Sequence, residues 1–398
     1  MSLLYVGVLL LFLCALFRRK LLNNKLWNAT MTPLASIIGS GFLISAPILH
    51  ELGGDKAPYL MIFLCTLSMG IGQVLRWNIY DIEPLAEAQK LPPFLKWVER
   101  FSDWALSFAY VLSISYYIYL FSSFLLNSVG VESLLLKRAI TTLVFTAIAF
   151  YGHQNGLNSI EGIEKVSVNI KLGIIFTFLV ALVVCLVQGT SPAVYEHREL
   201  GIRKTLPVLL GLLIMVQGFE TSRYLSEKYS AELRVKSMFW AQVLSSVIYI
   251  FFIFVFSPII AAHPLVGEVN ETSVIELSRH VFKLGPVFLL VAAIASQLSA
   301  AVADMGGAGG LISELTHEKI KSKNAYLLVA SLGVVLVWGF DIFQIISFAS
   351  KAFALYYFLQ SVSSCYFNFR KIYFKSLYSF VFSALCLLVV FWGIPFEG

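Results

Sequence analysis

Two apolar runs are interrupted by glycine at their centres, where an unbroken helix would otherwise be expected: Ile37-Ile38-Gly39-Ser40-Gly41-Phe42 and Val216-Gln217-Gly218-Phe219-Glu220. Unwinding at such points frees backbone N–H and C=O groups that hydrocarbon cannot satisfy and a bound zwitterion can. Positive half-helix ends favour a carboxylate, and freed carbonyls favour an ammonium group. A pair of glycine-interrupted segments at corresponding places in two halves of a chain points to a transporter site. The same glycines also suit close helix packing, for which small residues are common in membranes.

Ionisable residues inside apolar segments are the next candidates. Lys171 sits among Val166, Ile170, Leu172 and Ile174, in the first turns of its expected helix. Either its ammonium snorkels to the interface, or it is buried and gains and loses a proton during a coupled cycle. Ser296 and Ser299 could line the same spot, could bind sodium, or could bond their own backbone. Lys351 lies about eight residues into its segment, roughly 12 Å from the boundary. It either faces a cavity, favouring a substrate with extra negative charge, or snorkels. Glu220 and Asp304 suit inner-gate hydrogen bonds, with Arg223 or Arg76 as cationic partners, or plain structural pairing.

Other chemistries find little footing. Gly306-Gly307-Ala308-Gly309-Gly310 is no phosphate loop, since no Lys-Ser/Thr follows, and is expected to break or loosen its helix end. The six histidines show no metal-type spacing. The five cysteines fall in apolar segments without a disulfide framework. No catalytic carboxylate pair or nucleophile set converges, so no enzyme activity and no cofactor or metal is expected. A receptor or scaffold without transport is the remaining rival.

The elements that must position these residues follow from composition. The chain of 398 residues is 58% hydrophobic and 13% charged, with a mean hydropathy of +0.81; soluble domains carry about 25% charged residues. Lipid is therefore the solvent for most of its surface. Apolar segments of spanning length, about twelve of them, run near 1–17, 30–49, 57–75, 102–127, 137–152, 167–188, 204–222, 237–262, 284–304, 325–340, 343–366 and 376–394. The first is read as a retained helix with its N-terminus outside, not a cleaved leader. Loops on alternate sides then hold 19 and 8 Lys and Arg residues, with Lys171 and Lys351 inside helices. That asymmetry assigns the richer side to the cytoplasm. It also accounts for the net charge of +6 without a nucleic-acid partner. The outer stretch Thr272–Phe282 looks amphipathic and is expected to form a short helix at the outer mouth.

Three stretches carry a family resemblance. Ile38-Gly39-Ser40-Gly41-Phe42 is similar to the I-G-[SA]-G-[IF] signature of amino acid–polyamine–organocation (APC) permeases. Gly218-Phe219-Glu220 resembles their G-F-E signature, and Asn169-Ile170-Lys171-Leu172 their lysine-containing fifth core helix. The resemblance implies an all-α membrane protein with a LeuT-type core of two inverted five-helix repeats, whose first and sixth helices are broken. Domain expectations are 1–25 for an accessory helix, 26–190 and 191–370 for the repeats, and 371–398 for a final helix. It further implies a secondary transporter of an amino acid or analogue in the lipid bilayer of the cell membrane, working by alternating access. The backbone of Ser40 and Gly41 would hold a substrate carboxylate, and carbonyls near Ser36, Ile37 and Met215 to Gln217 an amine. Lys171 would stand where sodium-coupled relatives hold an ion between core helices one, five and eight, so H+ or Na+ is the expected coupling ion. The chain departs from the pattern at Ile214, where many members carry an aromatic lid.

Overall fold

The computed structural model describes residues 2–39, 41–156, 161–189, 201–226, 228–263, 269–270 and 272–396, and these form helices and turns with no strand among them. In chain order the helices are α1 (Ser2–Leu16), α2 (Arg19–Leu22), α3 (Lys25–Ile37), α4 (Gly41–Gly53), α5 (Ala57–Asp81), α6 (Glu83–Glu87), α7 (Pro93–Ser128) and α8 (Leu134–Asn155). Then come α9 (Glu161–Val187), α10 (Ile202–Gly211), α11 (Ala231–Ala262), α12 (Ser273–Leu277), α13 (Gly285–Leu315), α14 (Ser322–Gly339), α15 (Ile342–Asn368) and α16 (Tyr373–Trp392). Two 3-10 turns, Leu213–Val216 and Phe219–Tyr224, follow α10.

Every expected span coincides with a helix, and the spans 30–49 and 204–222 coincide with helices interrupted at their glycines. Among the described residues, nine helical stretches are long and apolar enough to cross a membrane. Large apolar side chains such as Leu143, Phe150, Val335 and Phe391 lie exposed on the outside, as a lipid-facing surface requires. The centre is α7, which packs along α13 and α15; α11 packs on α3 and α5, α14 on α8, and α1 on α9.

Helix starts differ from the hydropathy reading. Polar first turns do not register as apolar, so α7 begins at Pro93 and carries Glu99 and Asp103, and α9 begins at Glu161. Lys171 therefore lies about 15 Å along its helix, not in its first turns. The glycine run 306–310 does not break α13, which continues to Leu315. Two of these glycines make room instead. A Cβ on Gly309 would collide with the Tyr326 ring, and one on Gly307 would lie 3.1 Å from the Tyr110 ring. The stretch after Thr272 forms α12 and a 3-10 turn at Ser278–His280, with Val274, Ile275 and Leu277 buried. Ser40 lies outside the described residues.

Candidate functional site

α3 ends because Ile38 leaves the helical region at φ −81°, ψ 55°, and α4 restarts at Gly41. Helical hydrogen bonds across the gap are lost, so carbonyls of the last turn of α3 need other donors. They find side chains. Lys171 Nζ donates to the Ala35 carbonyl at 3.0 Å and to the Ile38 carbonyl at 2.5 Å. It also donates to the Ser296 hydroxyl at 3.2 Å, which itself donates to the Ile38 carbonyl at 3.2 Å. The Tyr249 hydroxyl donates to the Ile37 carbonyl at 3.0 Å. Lys171 is only 2% exposed, so its ammonium does not reach the interface. Ser299 does not join this group; its hydroxyl returns to the Ser296 carbonyl at 3.1 Å.

The second break is built alike. Gln217 is extended (φ −90°, ψ 174°) and Gly218 is left-handed at φ +113°, a region costly for any residue with a Cβ. Ser350 accepts from the Ile214 N–H at 2.9 Å, and the Ser68 hydroxyl donates to the Val216 carbonyl at 2.9 Å. Glu220 folds back to accept from the Gly218 N–H at 3.0 Å and from the Tyr357 hydroxyl at 2.7 Å. The carboxamide of Gln217, 3% exposed, has no hydrogen-bond partner among the described residues; nor has that of Gln297, which follows Ser296.

The breaks interlock. A Cβ on Gly41 would stand 2.7 Å from Met215 Cα and 2.9 Å from its carbonyl oxygen. A Cβ on Gly218 would stand 2.7 Å from Ile37 N and 2.7 Å from the Ser36 carbonyl carbon. Each glycine lets the other helix's backbone come to contact distance, so Ser36, Ile37, Gly39, Gly41, Ile214, Met215, Val216, Gln217 and Gly218 form one buried cluster.

A profile for APC superfamily transporters matches residues 19–393, nearly the whole chain. The chain belongs to the APC superfamily of transporters. An uncharacterised protein of Aquifex aeolicus strain VF5 is 41% identical over 370 residues, covering 92% of this chain and 89% of that protein. The solved structure of a Na+-coupled sialic acid symporter, in a substrate-bound outward-open state, superposes with a TM-score of 0.57 at 12% identity, covering 99% of both chains. That likeness shows the fold: a LeuT-type core, with α3/α4 and α10 with its 3-10 turns as the broken first and sixth core helices.

Within this APC transporter the remaining candidates separate. Asp304 on α13 accepts from the Ser113 hydroxyl of α7. Among the described residues Glu220 makes no ion pair with Arg223 or Arg76. Arg223 is tied instead to Glu83 (3.0 Å) and Glu99 (2.7 Å), because α6 and the polar first turns of α7 reach it first. Arg234 joins through Glu83 at 2.8 Å, and Ser363 and Gln360 complete the Glu99 carboxylate at 2.6 and 3.1 Å. Lys351 lies on the half-buried stripe of α15 with Gln344, Phe348 and Phe358, beside the exposed Leu355. Its neighbour Ser350 is the residue turned to the broken helix, because one step along a helix rotates the side chain by about 100°. Sequence reading also passed over Glu83, Glu99, Gln217's partnerless amide and Tyr249. The acids at 83, 99 and 103 near helix ends were the available signal for the ionic cluster.

Proposed function

We propose that this APC transporter carries an amino acid or a related small amine or carboxylate solute across the cell membrane, with Lys171 as the proton-coupling group. The observation that carries this reading is the seat of Lys171. Its ammonium sits among two carbonyls released by the first break and the Ser296 hydroxyl. Oxygens so arranged suit a small monovalent cation, and here the cation is covalently attached. A protonated amine ties α9 and α13 to α3; a neutral amine holds those carbonyls more weakly, so proton release loosens the break. Glu220 and Asp304, each held by a tyrosine or serine hydroxyl, act as the inner gate.

Substrate recognition falls to the two breaks. Gly41 and Gly218 bring the two unwound backbones together, and the Gln217 carboxamide offers a neutral donor and acceptor at the point of unwinding. Ile214 in place of an aromatic lid favours a solute bulkier than the small standard amino acids. The test is uptake into proteoliposomes against a panel of amino acids and amines, under imposed pH or sodium gradients. A pH gradient should drive accumulation, and Lys171→Ala should abolish that drive while leaving binding of the substrate measurable. Uptake driven by sodium alone, and indifferent to Lys171→Ala, would favour sodium symport, the mode named for the sialic acid symporter. No uptake and no thermal stabilisation by any solute would favour a receptor or scaffold.

A further inference from the structure

A cavity of about 420 Å³ opens away from the broken helices, between the ends of α5 and α11, and is walled by Arg76, Trp77, Tyr80, Lys236, Phe239 and Trp240. It lies on the face that the Lys/Arg asymmetry assigns to the cytoplasm. Arg76 is 4% exposed, yet its partners are all neutral: Gln242 Oε1, Gln73 Oε1 at 3.1 Å, the Met69 carbonyl at 3.4 Å, and the Phe239 ring at 5.5 Å. No carboxylate lies within 4.0 Å of it among the described residues.

The other nearby cations have partners in the chain, though the Lys236 pair is exposed to solvent and leaves its ammonium open to a further anion. Lys236 pairs with Glu232 at 2.6 Å, and Lys375, 5.5 Å from the Trp77 ring, pairs with Asp81 at 2.8 Å. Arg76 is thus a buried cation with no balancing charge among the described residues, and such a charge in a membrane protein is costly alone. The surroundings say what kind of anion. Tyr80, Phe239 and Trp240 are exposed at the cavity rim, where amphipathic rings sit at headgroup depth. From there an exposed apolar stripe, Val247, Phe251 and Phe254, continues along α11. A free inorganic anion has no use for that stripe; acyl chains do.

We propose that this groove binds an anionic phospholipid, its phosphate facing the Arg76 guanidinium and the Lys236 ammonium, its acyl chains lying along α11. Occupancy reaches the transport core through side chains. Arg76 holds Gln242, whose amide donates to the Ser68 carbonyl (2.7 Å) and hydroxyl (3.2 Å), and Ser68 holds the Val216 carbonyl at the second break.

The experiment uses the full chain, delipidated in detergent, and follows thermal unfolding and native mass spectra with phosphatidylglycerol, phosphatidylcholine or inorganic phosphate added. Phosphatidylglycerol should bind and stabilise, while equal concentrations of the other two do neither. Lys236→Gln, at an exposed position, should weaken phosphatidylglycerol binding about fivefold without altering the lipid-free protein. Arg76→Gln should remove the preference for the anionic lipid, and if that variant does not fold, Lys236→Gln and Trp240→Ala still decide. Lys283→Gln, on the other face, should change nothing. Equal stabilisation by phosphatidylcholine, or its reproduction by inorganic phosphate, would overturn the proposal. So would unchanged phosphatidylglycerol binding in Lys236→Gln and Trp240→Ala.

Discussion

At the first break, a buried ammonium is held by the Ala35 and Ile38 carbonyls and a serine hydroxyl. At the Lys/Arg-rich end, two buried guanidinium groups, Arg223 and Arg234, are held by the Glu83 and Glu99 carboxylates. The difference lies in what each region can do. An amine held by two carbonyls and a hydroxyl can lose its proton without leaving any of those three oxygens charged. A guanidinium stays protonated throughout, so the Arg223 cluster changes only when its helices separate. The first arrangement suits chemistry, and the second suits a latch joining α6, α7, α11, α15 and the 3-10 turn at Phe219–Tyr224.

The contrast can be broken or sharpened by substitution. Arg223→Ala leaves the buried Glu99 carboxylate without its cation and should lower stability by about 3–5 kcal/mol, read by thermal unfolding. Gly218→Ala forces a Cβ against Ile37 N and Ser36 at positive φ, and should lower stability by about 2–3 kcal/mol and abolish substrate binding. Lys171→Met removes the donor from two neutral carbonyls and a hydroxyl, so its loss should stay near 1–3 kcal/mol. A loss in Lys171→Met as large as in Arg223→Ala would break the comparison. Ser350→Ala removes one bond to the Ile214 N–H and should lower stability by about 1 kcal/mol. Gly306→Ala, whose Cβ meets nothing within 4 Å, should leave α13 unharmed or slightly firmer.

How much of this was legible in the sequence depends on range. The spans and both breaks follow from local pattern: apolar runs of membrane length, and glycines at their centres. Lys171 was legible as a candidate because a lysine in an apolar run is conspicuous. Ser296 was legible as a hydroxyl able to line the same spot, but the other two partners were not, since Ala35 and Ile38 lie more than a hundred residues away and act through backbone carbonyls. Lys351 was equally conspicuous, yet the rotation of α15 that sets it beside the stripe of Phe348 and Leu355 is fixed by packing against α7 and α16. The Arg223 cluster stayed hidden because Glu83, Glu99 and Arg234 resemble ordinary loop charges until α6, α7 and α11 converge.

The mutual seating of Gly41 on Met215 and Gly218 on Ser36 has a mechanical consequence. Two rods notched at mid-length and crossed notch to notch cannot slide past one another, but they can rotate about the crossing. The two arms of each helix therefore pivot on a shared contact. Any motion that keeps both contacts is a rotation about that crossing and not a slide along it.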